Sequence, residues 1–244
     1  MTLTALLLTA VAGLQGLPLP YSPHRDDGVT LILLGCFFLS SYILFRSRKF
    51  LLQLVKEFML HRERASIFDT STASDMRYLL LLIVQTCVLA GVYMFNYFNE
   101  TNPSLVLSLS PHLLLGIYIG SMLLYLFLKW LLYLFIGWIF FDSRLTSQWM
   151  ESYSTLLYYL GFSLFPLLLL IIYFDLNLET SITLGLILFF FAKLLMLYKW
   201  IKFFCNNLYG CFYLILYFCA LEIIPCVMLY QGLVQLNNFL IIKI

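Results

Sequence analysis

The chain has 244 residues, of which 63% are hydrophobic and only 11% are charged. This excludes an ordinary soluble domain, in which roughly a quarter of residues carry charge. With 12 acidic residues, 14 basic residues and 3 histidines, the chain also has too few polar groups for a soluble catalytic or nucleic-acid-binding domain. The composition therefore predicts an all-α integral membrane protein in a lipid bilayer.

Six apolar runs are long enough to cross a bilayer, whose hydrocarbon core needs about 20 residues of helix. They cover residues 29–45, 78–98, 112–128, 154–174, 181–197 and 208–233. Ser74 and Asp75 precede the second run and are typical helix-capping residues. The third run stays apolar to residue 141, which indicates either one long tilted helix or a separate interfacial helix after Lys129.

The N-terminal arm, residues 1–28, leaves two interpretations open. Residues 6–12 resemble the apolar core of a signal peptide, and Ala10-Val11-Ala12 resembles a small-residue cleavage site. No lysine or arginine precedes this stretch. The arm is therefore either a cleaved signal segment or a short apolar arm on the outer face, and residues 29–244 are expected to form the six-helix domain.

Basic residues are unevenly distributed, and their positions predict the orientation. The linker 46–77 contains seven lysines and arginines, whereas the linker 99–110 contains none. Further basic residues follow the third and fifth runs, at Arg144, Lys199 and Lys202. Because basic residues in short loops are retained in the cytoplasm, we predict that the linker 46–77 is cytoplasmic and that both termini are outside.

A basic amphipathic helix is predicted within this linker. Apolar residues repeat there at helical spacing, at Leu51, Leu54, Val55, Phe58 and Met59. Such a helix is typical of a segment lying in the inner headgroup layer, where each cation attracts anionic lipid headgroups by about 1 kcal/mol. The alternative is a docking surface for a cytosolic partner.

Three ionisable residues lie inside the predicted spans and are functional candidates, because charge in a bilayer costs at least about 2.5 kcal/mol. Lys129 lies near the inner end of its span and is expected to anchor at the interface. Lys193 and Glu222 fall in the middle third of the membrane, on consecutive antiparallel helices, and are predicted to form a buried pair. The alternative is a protonated Glu222 hydrogen-bonded to neighbouring backbone.

The sixth run carries a seam of small residues. Cys219 and Cys226 share the helix face of Glu222, which favours close approach of another helix with Glu222 hydrogen-bonding into the contact. Pro225 is expected to kink this helix near Leu221. The two cysteines are about 10 Å apart along the axis and no histidine lies in a span, so neither a disulfide nor a metal site is expected.

The third run contains Gly116 and Gly120, a small-x-x-x-small pattern that predicts a close helix contact within the chain or between chains. Pro166 predicts a kink in the fourth run. The chain contains no zinc-protease motif, nucleophile elbow or phosphate-binding glycine loop. We therefore expect no catalytic residues and no cofactor.

The stretch FYLILYFCALEIIP at 212–225 resembles the closing signature of an uncharacterised family of Bacteroidetes-type multi-spanning inner-membrane proteins. Its distinctive elements are Tyr217, the step 221–223 that reads Leu-Glu-Ile, and Pro225. Weaker similarity extends over 46–230. The resemblance implies a multi-pass protein of the bacterial inner membrane and a domain of unknown function, with no established substrate, cofactor or reaction.

Three functions remain open. The first is a non-enzymatic subunit that packs against partner membrane proteins, or against copies of itself, in an envelope assembly such as one for protein export or surface-structure biogenesis. The second is a small transporter or channel that uses Lys193 and Glu222 at the midplane. The third is an intramembrane enzyme that modifies lipid, which would need an acid–base cluster at a defined depth. The small-residue seams and the basic inner helix favour the first.

Overall fold

Six long helices make up nearly all of the fold. The computed structural model describes residues 21–60, 73–103, 105, 109–140, 143–174, 176–204 and 208–242. The helices are α1 (Asp27–Leu60), α2 (Ala73–Thr101), α3 (Pro111–Phe140), α4 (Ser143–Tyr173), α5 (Leu178–Phe204) and α6 (Leu208–Ile242). A short 3-10 turn, Pro23–Arg25, precedes α1, and no strand occurs in these ranges.

Each helix contains a stretch of 22 to 29 residues that is long and apolar enough to cross a membrane. A helix satisfies its own backbone hydrogen bonds, which hydrocarbon cannot do, so continuous helices are the favoured solution for such stretches. The prediction of an all-α, six-span membrane protein is confirmed. Because the number of spans is even, residues 27 and 242 lie on the same side of the bilayer. Which side faces the cytoplasm stays a prediction.

Helices α2 and α4 form the centre of the bundle. Half of the positions in their most apolar stretches are buried inside the protein, against at most 22% in the other four helices. Two glycines permit this close packing. A Cβ on Gly161 of α4 would lie 2.2 Å from Oγ1 of Thr86 on α2, and one on Gly91 of α2 would lie 2.7 Å from Ile119 of α3. Only a residue without a side chain fits at either position.

Three predicted helix boundaries need correction. α3 is one continuous helix to Phe140, so the separate interfacial helix after Lys129 is wrong and the long-helix alternative holds. α6 continues to Ile242, nine residues beyond the predicted end at 233. The added part contacts the bundle through the buried side chain of Asn237. α2 begins at Ala73, which places Ser74 and Asp75 in its first turn. Their side chains lie outside the described residues, so the capping role stays a prediction.

The first span and the basic linker share one helix, α1, which is interrupted only at Ser47. The backbone there is non-helical, with φ −117° and ψ 23°. The helix then continues to Leu60, so the predicted linker helix is present as a backbone feature. Tyr159 of α4 donates a hydrogen bond to the carbonyl of Leu51 at 2.9 Å, which fixes the segment just beyond the interruption. Contact between the linker helix and the lipid headgroups stays a prediction.

The predicted signal segment lies within residues 1–20, which are outside the described residues. Residues 61–72 of the linker are outside them as well. The predicted division of the chain at residue 28 stays a prediction.

Candidate functional site

A buried charged cluster joins three helices. Glu222 on α6 is fully buried, and its Oε2 accepts hydrogen bonds from Nζ of Lys129 on α3 and from Nζ of Lys193 on α5. The hydroxyl of Tyr133 on α3 donates to the other carboxylate oxygen, Oε1. We call these four residues the Glu222 cluster. Both carboxylate oxygens have donors, as a buried carboxylate requires.

Helix geometry explains why these residues meet. Lys129 and Tyr133 are four residues apart on α3 and therefore share one face. Lys129 lies about 27 Å along α3 from Pro111, and Lys193 about 22 Å along α5 from Leu178. Both residues thus lie well inside the spans Pro111–Ile139 and Leu178–Lys199.

The prediction that Lys129 anchors at the membrane interface is wrong. Its side chain is only 3% exposed, and its ammonium group meets Glu222 instead of the headgroups. The sequence argument placed Lys129 near the inner edge from its depth along the helix, whereas the span continues ten residues further, to Ile139. The rings of three tyrosines lie 5.3 to 5.9 Å from its Nζ, and their faces stabilise the cation.

The predicted pair of Lys193 and Glu222 is present in the structure. The alternative, a Glu222 bonded to backbone, is not what the structure shows. Lys193 differs from the rest of the cluster because its side chain is 20% exposed. The ring of Phe189, one turn earlier on α5, lies 5.1 Å from the lysine Nζ.

The contact between α3 and α6 continues from the cluster along both helices. The hydroxyl of Tyr125 and Sγ of Cys226 are 2.9 Å apart. Further along, the hydroxyl of Tyr118 donates to Oδ1 of Asn237 at 2.9 Å, and both residues are buried. Tyr118 and Tyr125 of α3 therefore pair with residues of α6 at matching depths, whereas Nδ2 of Asn237 is buried without a hydrogen-bond partner.

Aromatic residues of α4 cover the cluster on a further side. Tyr153 and Trp149 lie 5.1 and 5.7 Å from the ring of Tyr133. Both are almost fully buried, and they separate the charged groups from lipid on that side. The charged site is therefore enclosed by α3, α4, α5 and α6.

The sequence analysis missed the tyrosines of this site. On α3, Tyr118, Tyr125, Lys129 and Tyr133 follow one another at spacings of seven, four and four residues, which places them on one helix face. A lysine inside a stripe of tyrosines is a signal for a buried cation with aromatic and hydroxyl partners. That pattern distinguishes Lys129 from a snorkelling interface lysine.

The remaining predicted residues are only partly engaged. Cys226 faces α3 as described, whereas the side chain of Cys219 lies outside the described residues. α6 stays helical through Pro225, and the kink there stays a prediction. Gly116 and Gly120 are exposed, and a Cβ on either would meet nothing within 4 Å. The within-chain alternative for this glycine pair is thus wrong for the described part of the chain.

The chemistry of the site is that of a charged group held by hydrogen bonds. Within the described ranges, no three His, Cys, Asp or Glu side chains lie together as metal ligands. Two ammonium groups face one carboxylate, and the side chains of Tyr133 and Tyr153 complete the surroundings. The cluster therefore links three helices through two positively charged side chains and one negatively charged side chain.

Comparisons with known proteins give a family but no characterised relative. No curated protein sequence matches the chain, and no solved structure does either. One family model matches residues 29–233, which include the Glu222 cluster, the four middle spans and most of the first and last spans. Because this range covers most of the chain, the protein belongs to the family described as a domain of unknown function (DUF4271).

Proposed function

We propose that this protein is a non-enzymatic, multi-pass subunit of a bacterial inner-membrane assembly that docks through α6 onto a transmembrane helix of a partner protein. The observation that carries the proposal is a stripe of three amide side chains on the exposed surface of α6. It consists of Gln231, Gln235 and Asn238. We call these residues the amide stripe.

The three side chains point in one direction. At 100° per residue they fall within about 60° of one another on the helix, a single face. Glu222 lies on the opposite face, toward the bundle, so the amide stripe faces away from the other helices. No hydrogen bond joins the stripe to any residue of the described chain.

The amide stripe lies in the apolar part of α6. Gln231 and Gln235 lie between Cys226 and Asn237, two residues of α6 that hydrogen-bond to the span of α3. The whole stripe falls within Ala220–Ile241, a stretch that is long and apolar enough to cross a membrane. We expect Gln231 and Gln235 to meet hydrocarbon unless another polypeptide covers them.

Covering the stripe with a second helix is energetically favourable. A hydrogen bond between polar side chains of two membrane helices contributes about 0.6 to 2 kcal/mol. An amide both donates and accepts, so three amides at spacings of four and three residues match a helix with amide or hydroxyl groups at the same depths. Gly232, beside the stripe, has open space around it and allows close backbone approach.

Two other features support an assembly role. The exposed pair of Gly116 and Gly120 on α3 is typical of a contact between chains, since it contacts nothing within the described part of this one. The basic linker 46–77 favours an inner-membrane orientation with a cytoplasmic, lipid-binding segment. Together with the family resemblance, these features support an envelope assembly such as one for protein export or surface-structure biogenesis.

The experiment is native mass determination of the tagged protein after extraction in mild detergent. We expect a stoichiometric membrane-protein partner with the wild type and its loss with the triple variant Gln231→Leu, Gln235→Leu, Asn238→Leu. A matched control replaces two exposed apolar residues of α1, Leu31→Ala and Phe38→Ala, and keeps the partner. A wild type without a stoichiometric partner, or a stripe variant that retains it, would contradict the proposal.

A second candidate function is a small transporter or channel. The observation that favours it is the Glu222 cluster, because intramembrane ionisable residues at a junction of helices are typical of substrate and ion pathways. This candidate predicts flux by the wild type in proteoliposomes, and loss of that flux in the triple variant Lys129→Met, Lys193→Met, Glu222→Met. The subunit proposal predicts that no flux is present in the wild type.

A further inference from the structure

The charges of the Glu222 cluster indicate which kind of side chain the partner contributes. Lys129 and Lys193 both contact the same oxygen of Glu222, so one carboxylate faces two ammonium groups. With all three groups ionised, the cluster carries one uncompensated positive charge. Uncompensated charge in a low-dielectric interior is strongly unfavourable, and proteins pair such groups.

The exposures of the side chains indicate where the missing negative charge enters. Glu222 is 0% exposed and Lys129 is 3% exposed, so nothing further can reach either of them. Lys193 is 20% exposed, and it is the cluster's only cation open to the surface. A compensating group must therefore approach Lys193.

The surface around Lys193 faces the bilayer. Its exposed neighbours on α5 are large and apolar, namely Leu186, Phe189, Phe190 and Leu194. Lys193 lies about 22 Å from Leu178 and about 9 Å from Lys199, the two residues that bound its span. Its ammonium group is directed at Glu222. The charge is thus held inside the span.

We propose that a transmembrane helix of the partner, other than the one on the amide stripe, presents one aspartate or glutamate side chain to Lys193. This inference rests on the proposed assembly role and adds the chemistry of the partner. The added carboxylate makes the cluster two ammonium groups and two carboxylates, which balances its charge. It also places the partner's acidic residue at the depth of Glu222, which gives the contact a defined register along the membrane normal.

The test uses a synthetic transmembrane peptide of leucine and alanine with one glutamate at its centre, or one turn to either side. The full-length protein is reconstituted in phosphatidylcholine vesicles, and binding is followed by energy transfer between labels. For at least one of the three positions, we expect the glutamate peptide to bind at least tenfold more tightly than its glutamine counterpart. The variant Lys193→Met is expected to abolish that difference.

Lys193→Met is a suitable variant because it leaves Lys129 and Glu222 as a balanced pair, so the fold is retained, as a melting curve checks. Phe190→Met is the matched control on the same exposed helix surface and keeps the preference for glutamate. Equal binding of both peptides, or a preference that survives Lys193→Met, would overturn the inference. So would loss of the preference when phosphatidylglycerol is added, since the lipid headgroup would then supply the negative charge.

The outcomes for the two proposals are separable. The amide stripe is tested on the native complex, whereas the peptide experiment needs no native partner. If the stripe variant loses its partner but the glutamate peptide shows no preference, the assembly role stands and the acidic partner is excluded.

Discussion

Replacing Glu222 by glutamine is expected to destabilise the bundle strongly. Glutamine keeps the volume and still accepts a hydrogen bond from Tyr133, but it removes the negative charge that pairs with both Lys129 and Lys193. Removing one partner from a buried ion pair costs about 3 to 5 kcal/mol, because the other charge stays buried without compensation. Since two ammonium groups are affected here, we expect a loss at the upper end of this range.

The assay is thermal unfolding of the purified protein in mild detergent. For a chain of this length, about 4 to 5 kcal/mol corresponds to a decrease in the melting temperature of about 8 to 20 °C. The matched control is Glu179→Gln, at an exposed position in the first turn of α5, where a change of about 0.5 kcal/mol or less is expected.

A triple variant separates charge compensation from loss of packing. Lys129→Met, Lys193→Met and Glu222→Met together remove all three charges while keeping similar side-chain volumes. Replacing a complete buried ion cluster by apolar residues is often neutral or stabilising. We therefore expect the triple variant to recover most of the stability lost in Glu222→Gln. If Glu222→Gln melts with its control, or if the triple variant is less stable than the single one, the electrostatic account of this cluster is refuted.

Two further predictions concern the packing of the helices. Tyr118→Phe removes the hydrogen bond to buried Asn237 and should cost about 1 to 3 kcal/mol, measured by the same melting assay; a change within error would show that this bond does not hold the end of α6. Gly161→Ala should lower the free energy of unfolding by about 1 to 3 kcal/mol, because the new Cβ would lie 2.2 Å from the hydroxyl oxygen of Thr86. Gly116→Ala should leave the stability of the isolated protein unchanged, because its Cβ would meet nothing within 4 Å. Equal effects of the two alanines would contradict the helix arrangement.

The number and approximate position of the spans followed from the sequence, because hydropathy is a local property that accumulates over each stretch of about 20 residues. Which side of a helix meets a neighbour is not local. The motif at Gly116 and Gly120 drew attention on spacing alone, yet the structure packs Gly91 and Gly161 and leaves the motif exposed. A glycine is recognisable in the sequence, but the side chain that approaches it is not.

The residues of the candidate site were likewise predicted only in part. The pair of Lys193 and Glu222 followed from depth, since the two residues lie on consecutive antiparallel helices. Lys129 was misjudged because its depth along the third run suggested the inner edge of the bilayer, and because no local signal showed that α3 packs against α6. Depth along a helix is available from the sequence, whereas direction around it depends on the complete bundle.

The hydrogen bond from Tyr159 to the carbonyl of Leu51 has a consequence for the basic segment that follows it. The bond lies just past the interruption at Ser47, so α4 holds α1 at the point where the helix changes direction. The angle at which residues 52–60 leave the bundle is then set by protein packing and not by the lipids beneath them. A partner or a membrane surface that meets this segment therefore meets an arm whose direction is already determined, and any force applied to it passes directly to α4 at the centre of the bundle.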